Sequence, residues 1–79
     1  MAVVELIEHV AKSLVDSPDE VRTRTYERGE QGTVIELEVA PDDLGKVIGR
    51  QGRTARAIRT LLSAAGQKSR RRYSLDIVD

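Results

Sequence analysis

The sequence predicts an α+β fold in which three helices cover one face of a three-stranded sheet. Three stretches carry apolar residues at helical spacing, and three others alternate between apolar and polar residues. They follow one another in the order helix, strand, strand, helix, helix, strand. A chain of 79 residues buries one small core, so a single sheet backed by one layer of helices uses all of it. We therefore treat residues 1–79 as one domain.

The first helix is predicted over residues 3–15. Glu8 stands four residues before Lys12 on the polar face, in the favourable order for an ion pair. His9 is the only histidine and has no partner at a catalytic or metal-binding spacing, so we interpret it as a surface residue. The apolar stripe consists of Val3, Leu6, Ile7, Val10 and Leu14.

Two strands joined by a hairpin are predicted next. The first covers residues 21–28, and its weakly apolar inward face predicts an edge or a half-exposed position. Gly29 and Gly32 bracket the hairpin loop. The second strand covers residues 33–40 and has the clearest alternation in the chain. We expect the arginines of the first strand to pair with glutamates of the second.

A short second helix is predicted between Pro41 and Gly49. Asp42 and Asp43 fall in its first turn, where negative charge is favourable, so we interpret them as helix-start residues and not as paired catalytic acids. Gly45 is interpreted as a site of close packing.

The third helix is predicted to begin after Gly52 and to end near Gly66. A basic connector, residues 67–72, then leads into a third strand over residues 73–78. Arginines stand in the first turn of this helix, where the helix dipole disfavours them. A bound anion would relieve that conflict.

The four-residue segment Gly49-Arg50-Gln51-Gly52, which we call the glycine loop, joins the second and third helices. Glycines permit backbone angles that side chains disfavour, and a loop that opens into a helix N-terminus offers N–H groups to an anion such as phosphate. The spacing alone is equally typical of a tight turn between two helices. The flanking residues must distinguish the two interpretations.

Charge is distributed unevenly along the chain. The net charge is zero, but residues 1–44 hold four Lys/Arg and eleven Asp/Glu (4 − 11 = −7), whereas residues 45–79 hold nine and two (9 − 2 = +7). The basic half starts beside the glycine loop. This asymmetry predicts a surface that attracts an anionic partner, or a dimer in which the two halves of different copies meet.

The composition argues against several classes of protein. There is no cysteine, and no apolar segment approaches the roughly 18 residues of a membrane span, which predicts a soluble, cytoplasmic protein that does not engage a membrane. No nucleophile, acid-base pair or metal-ligand cluster stands at a mechanistic spacing. We therefore expect neither an enzyme nor a cofactor or metal site.

The order of elements, with Gly-x-x-Gly between the second and third helices, resembles the type II KH domain, an RNA-binding fold. The run Val47-Ile48-Gly49-Arg50-Gln51-Gly52 matches the KH signature of two apolar residues, glycine, two variable residues and glycine. Residues 42–49 and 52–62 resemble the small bacterial single-KH proteins of the KhpA family. Ala55 departs from the bulky aliphatic residue common at this position, which predicts a shallower groove for bases.

The resemblance implies that the chain holds single-stranded RNA through the GXXG loop, acting as a post-transcriptional regulator or RNA chaperone. It further implies a homodimer, or a heterodimer with a KhpB-like KH protein; ribosome association is compatible with this. Ile48 and Ala55 would meet bases, near Leu75, while Arg56 and Arg59 would broaden the basic surface. The predicted RNA-binding residues are Lys46, Ile48, Gly49, Arg50, Gln51, Gly52, Arg53, Ala55 and Arg56.

A different hypothesis is compatible with the same residues. The glycine loop and its helices would then form the interface of a protein-interaction module, such as a dimer, in which RNA contact is incidental. Charge reversal at the loop distinguishes the two, because an added carboxylate repels phosphate but need not break a dimer.

Overall fold

The computed structural model describes residues 2–78 and confirms the predicted α+β fold and element order. Short 3-10 turns connect several elements, including one over Arg50–Gly52 in the glycine loop. None of the helices within these residues combines the length and apolar character needed to cross a membrane. The helices are α1 (Val3–Leu14), α2 (Leu44–Ile48) and α3 (Arg53–Ser69); the strands are β1 (Arg22–Glu27), β2 (Thr33–Glu38) and β3 (Tyr73–Ile77).

The sheet places β2 in the centre, antiparallel to β1 and parallel to β3. The predicted edge position of β1 is confirmed. Arg24 stands opposite Glu36 in the register and forms an ion pair with it at 3.8 Å, as expected for the arginines of this strand. A parallel neighbour cannot be reached through a tight hairpin, so the chain must cross from the end of β2 to the start of β3. Helices α2 and α3 and the glycine loop form this crossover.

The core lies between the sheet and the helices. Ile7 of α1 and Leu37 of β2 are fully buried, and Val47 of α2 and Ile58 of α3 join them from either side of the glycine loop. Burying side chains of this size contributes about 1.5–3 kcal/mol each. The loop is therefore held between two helices that are each fastened to the core.

The end of α3 differs from the prediction. The interpretation of Gly66 as the helix stop was wrong, because α3 continues to Ser69 and Arg70 closes it in the left-handed conformation (φ 57°). The Arg71 N–H donates to the Gly66 carbonyl at 2.8 Å, and the Arg70 N–H to that of Gln67 at 3.4 Å. These two bonds satisfy carbonyls that the helix itself leaves free.

Two glycines within helices differ in their surroundings. A Cβ atom at Gly66 would overlap the backbone carbonyl oxygen of Arg71, where the chain turns back toward β3. A Cβ atom at Gly45 would meet open space, so the close packing expected there is not present. Glycine is thus required at one helical position and dispensable at the other.

We expect Gly66→Ala to lower the free energy of unfolding by about 1–3 kcal/mol, because the added methyl group displaces backbone. Gly45→Ala is the matched control and should raise the free energy of unfolding by about 0.5–1 kcal/mol, since alanine is the better helix former. Urea denaturation followed by circular dichroism measures both. Changes of the same sign in the free energy of unfolding of the two variants would show that the two glycines do not differ in their steric surroundings as described.

Candidate functional site

The glycine loop, residues 49–52, has an unusual backbone. Gly49, Gln51 and Gly52 all have positive φ angles, of 78°, 57° and 73°. Such a conformation is accessible to glycine but costs another residue about 1–2 kcal/mol. Gln51 therefore holds strain at the tip of the loop. Strained residues of this kind are concentrated at binding and catalytic sites, so the tip is a candidate site on conformational grounds.

The loop's hydrogen bonds leave its tip unsatisfied. The Gly49 N–H donates to the Gly45 carbonyl at 2.8 Å, and the Gly52 N–H donates to the Gly49 carbonyl at 3.1 Å. Within residues 2–78, the N–H groups of Arg50 and Gln51 donate to no backbone carbonyl. Two consecutive donors are thus presented outward, directly before the N-terminus of α3, which no side chain of the described chain caps.

The two glycines of the loop have different steric roles. A Cβ atom at Gly49 would lie 2.7 Å from the Thr54 Cβ atom and 2.8 Å from the Thr54 nitrogen. The loop therefore closes tightly against the first turn of α3 at this point. At Gly52 nothing lies within 4 Å of the Cβ position. The loop is therefore open at the Cβ position of Gly52, in contrast to that of Gly49.

Two arginines of α3 contact the loop tip. The Arg56 guanidinium donates to the Gln51 carbonyl at 2.7 Å, and the Arg53 guanidinium donates to the Gln51 side-chain oxygen at 3.4 Å. Both side chains are exposed, as is Arg50. Arg56, which was predicted both to bind RNA and to broaden the basic surface, is thus bonded directly to the loop tip. Each guanidinium retains further donors for an anion.

Lys46 lies on the other side of the loop, among acidic groups. Its ammonium is 3.2 Å from Asp16 and 3.7 Å from Asp43, and the hydrogen bond and charge of Asp16, with the weaker influence of Asp43, raise the pKa of Lys46. Asp16 is 80% exposed, so water and salt screen that pair strongly. To reach a phosphate, Lys46 must exchange these carboxylates for it.

Asp43 is a residue whose role the sequence did not reveal. Its carboxylate is buried and accepts hydrogen bonds from the N–H groups of Asp16 at 3.2 Å and Ser17 at 3.0 Å. It thereby fastens the segment after α1 to the start of α2, the helix that enters the loop. These partners stand 26 and 27 positions away in the chain, so no local spacing signals the contact.

A groove of about 170 Å³ lies between α3 and β3. The residues that line the groove are Arg59, Leu62, Tyr73, Ser74 and Leu75. Ile48 of α2 is 36% exposed, whereas Ala55 of α3 is only 4% exposed and so offers a base almost no surface. Helix α3 thus contributes side chains both to the contacts with the loop and to the groove.

A metal site is not supported by the described part of the chain. Among residues 2–78, no three histidine, cysteine, aspartate or glutamate side chains converge as metal ligands would. His9 is exposed on α1, as its position in the sequence predicts. The loop instead brings together free backbone donors, a helix N-terminus and several cations, which are groups that can bind an anion.

Comparison with known proteins points in the same direction. The model of the KhpA/KhpB KH-domain family matches residues 4–77, which include the loop and both helices beside it. Three similar relatives are named RNA-binding protein KhpA. The relative from Borreliella burgdorferi is 55% identical over 96% of this chain and 92% of its own length, and the relative from Halalkalibacterium halodurans is 54% identical over 94% of this chain and 96% of its own length. The relative from Aquifex aeolicus is 51% identical over 99% of this chain and 98% of its own length.

The steric difference between the two loop glycines leads to a stability prediction. Gly49→Ala should lower the free energy of unfolding by about 2–5 kcal/mol, through the positive φ angle and the overlap with Thr54. Gly52→Ala should cost only about 1–2 kcal/mol, the conformational part alone. Urea denaturation measures both variants. Equal losses would show that the loop does not close on α3 as described.

Proposed function

Because this chain belongs to the KhpA/KhpB KH-domain family, we propose that it binds single-stranded RNA through residues 49–52 and the arginines beside them. The observation that carries the proposal is the pair of unsatisfied N–H groups at Arg50 and Gln51, which lie next to Arg53 and Arg56. The relatives at 51–55% identity are themselves named RNA-binding proteins. The proposed function is binding, with no catalytic step.

Phosphate oxygens match what the loop offers. Each of the two backbone N–H groups can donate to a phosphate oxygen, and hydrogen bonds to a charged oxygen are roughly twice as strong as those between neutral groups. Arg50 and Arg53 supply positive charge on either side of the tip, and the N-terminus of α3 adds the partial charge of its dipole. An anion here also relieves the conflict between that dipole and the arginines of the first turn. Lys46 would join only after leaving Asp16.

Bases would lie on the side of the groove, away from the phosphates. Ile48 offers exposed apolar surface next to the loop, and the edge of β3 near Leu75 offers backbone groups. Phosphate contacts hold the strand in register, and base contacts supply any sequence preference. The chain has two aromatic residues, Tyr26 and Tyr73, so recognition by extended base stacking is not supported.

The small number of phosphate contacts argues that the protein binds RNA as a dimer. Two or three neutralised phosphates give a salt dependence of roughly −1.4 to −2 in log K against log salt, at about −0.7 for each phosphate of a single strand. A single module with so few contacts binds RNA weakly. Joining two modules raises the effective concentration of the second RNA-binding site, and so strengthens RNA binding without new contacts. We therefore include in the proposal a homodimer, or a heterodimer with a KhpB-like protein, that acts in the cytoplasm as a post-transcriptional regulator or RNA chaperone.

Gly52→Asp tests the phosphate site with little effect on the fold. Aspartate tolerates the left-handed conformation, and the Cβ position is open, but the carboxylate lies where phosphate is expected. Gly52→Asn is the matched control, because it has the same shape without the charge. In fluorescence anisotropy titrations at low salt, we expect Gly52→Asp to weaken RNA binding at least about tenfold, as a like-charge contact costs several kcal/mol.

Two results of that experiment would contradict the proposal. Equal RNA affinity of the aspartate and asparagine variants would exclude the loop as the phosphate site. Loss of self-association in Gly52→Asp, with RNA binding unchanged, would instead favour the hypothesis that the loop is a protein interface. Circular dichroism melting curves establish that both variants are folded.

Self-association is a separate prediction. Sedimentation velocity at micromolar protein concentrations should show a dimer, alone or with a KhpB-like partner. If the −7 and +7 halves of different copies face each other, added salt should shift the equilibrium toward monomer, because it screens the attraction. A strictly monomeric chain that also fails to bind such a partner would contradict this part of the proposal.

A further inference from the structure

Arg59 occupies the groove where a base would lie. We propose that it selects the base beside β3, favouring guanine or cytosine, which present two adjacent hydrogen-bond acceptors, over adenine. This inference rests on the proposed RNA-binding function and adds a base preference to it. It also revises the expectation that Arg59 only broadens the basic surface.

The ladder of hydrogen bonds determines which backbone groups of β3 face the groove. The Thr33 N–H donates to the Arg72 carbonyl, and the Val78 N–H donates to the Leu37 carbonyl, both at 2.9 Å. Successive residues of a strand point their backbone N–H and carbonyl groups to opposite sides. The even-numbered residues of β3 therefore form their backbone hydrogen bonds with β2. Leu75 is odd-numbered. Its N–H and carbonyl groups therefore point to the free edge of the sheet.

Arg59 already contacts this edge. Its guanidinium donates to the Leu75 carbonyl at 3.4 Å, reaching across from α3. Both residues line the groove of about 170 Å³ between α3 and β3. A guanidinium has five N–H donors, so most of them remain available after this one bond. The Leu75 carbonyl keeps one further lone pair, so the edge at Leu75 offers a ligand mainly donors: the remaining N–H groups of Arg59 and the Leu75 N–H group.

A donor-rich groove distinguishes the bases by their edges. Guanine presents its O6 and N7 atoms side by side as acceptors, the pair that an arginine fork binds most often. Cytosine presents O2 and N3 in the same way on its Watson–Crick edge. Adenine places the N6 amino donor beside both its N1 and its N7 acceptors, and uracil places its N3–H donor between its two oxygens. These two bases would each set a donor against a donor.

Removing Arg59 should abolish the preference. Without the guanidinium, Leu75 would present one free donor and one free acceptor. Every base offers an adjacent acceptor and donor that complement this pair, such as N1 and N6 of adenine or N3 and N4 of cytosine, so the pair does not favour cytosine or guanine over adenine. A purely structural role for Arg59, covering an edge carbonyl, predicts no change of base preference. The two roles therefore differ in a measurable ratio of affinities and not merely in overall binding strength.

The experiment uses the full chain and short oligouridines in which one internal base is cytosine, guanine or adenine. Fluorescence anisotropy gives the dissociation constants for the wild type and for Arg59→Ala and Arg59→Lys. The wild type should prefer cytosine or guanine over adenine by about fivefold or more, the lower end expected for an arginine fork. The separate cytosine and guanine oligonucleotides establish which of the two bases is read.

The variants should separate charge from base reading. Arg59→Ala and Arg59→Lys should both lose the preference for cytosine or guanine, but only Arg59→Lys should keep its affinity for oligouridine, because lysine has charge but no fork. Arg22→Ala removes one exposed arginine from β1, at the opposite edge of the sheet, and should leave the ratios unchanged. Circular dichroism checks that each variant is folded.

The possible failures are distinguishable. A wild type that prefers adenine, or an Arg59→Ala variant with the ratios of the wild type, would overturn the role of Arg59 and leave the RNA-binding proposal standing. A wild type that binds none of the oligonucleotides at low salt would overturn both.

Discussion

The reversal of the chain at Gly49, between two helices anchored in one core, is the constraint on which the site depends. Val47 is buried two positions before the loop and Ile58 six positions after its end, so neither helix can shift to relax the turn. The turn is possible because Gly49 adopts a φ of 78° and leaves room for Thr54. A reversal this tight cannot pair its own tip, and the N–H groups of Arg50 and Gln51 remain outside both helices.

The charges around the loop depend on the position of this reversal in the chain. Helix α2 lies at the boundary between the acidic and the basic parts of the chain, and Lys46 is held among carboxylates on one side of the loop. On the other side, Arg53 and Arg56 bond to Gln51 and hold its strained backbone in place. The loop is therefore preorganised by groups that are themselves able to meet an anion, and binding requires little further ordering of the chain.

The same topology creates the groove. Because β2 and β3 are parallel, the crossover must pass over one face of the sheet, which brings α3 alongside β3. Strand β3 has β2 on one side only, and an unpaired edge offers hydrogen-bonding groups to any ligand. Arg59 reaches that edge at the Leu75 carbonyl. One connection thus produces both the loop proposed to hold phosphates and the edge proposed to read a base.

The sequence by itself determined the element order, the position of the glycine loop and the separation of charge, because periodicity, glycine spacing and charge are properties of neighbouring residues. Only the tertiary structure decided the parallel pairing of β2 with β3, the burial of Asp43 against Asp16 and Ser17, and the contact of Arg59 with Leu75. Each of these joins residues at least 16 positions apart. Local preference cannot specify such contacts, since they form only where packing of the whole core brings distant backbone groups together.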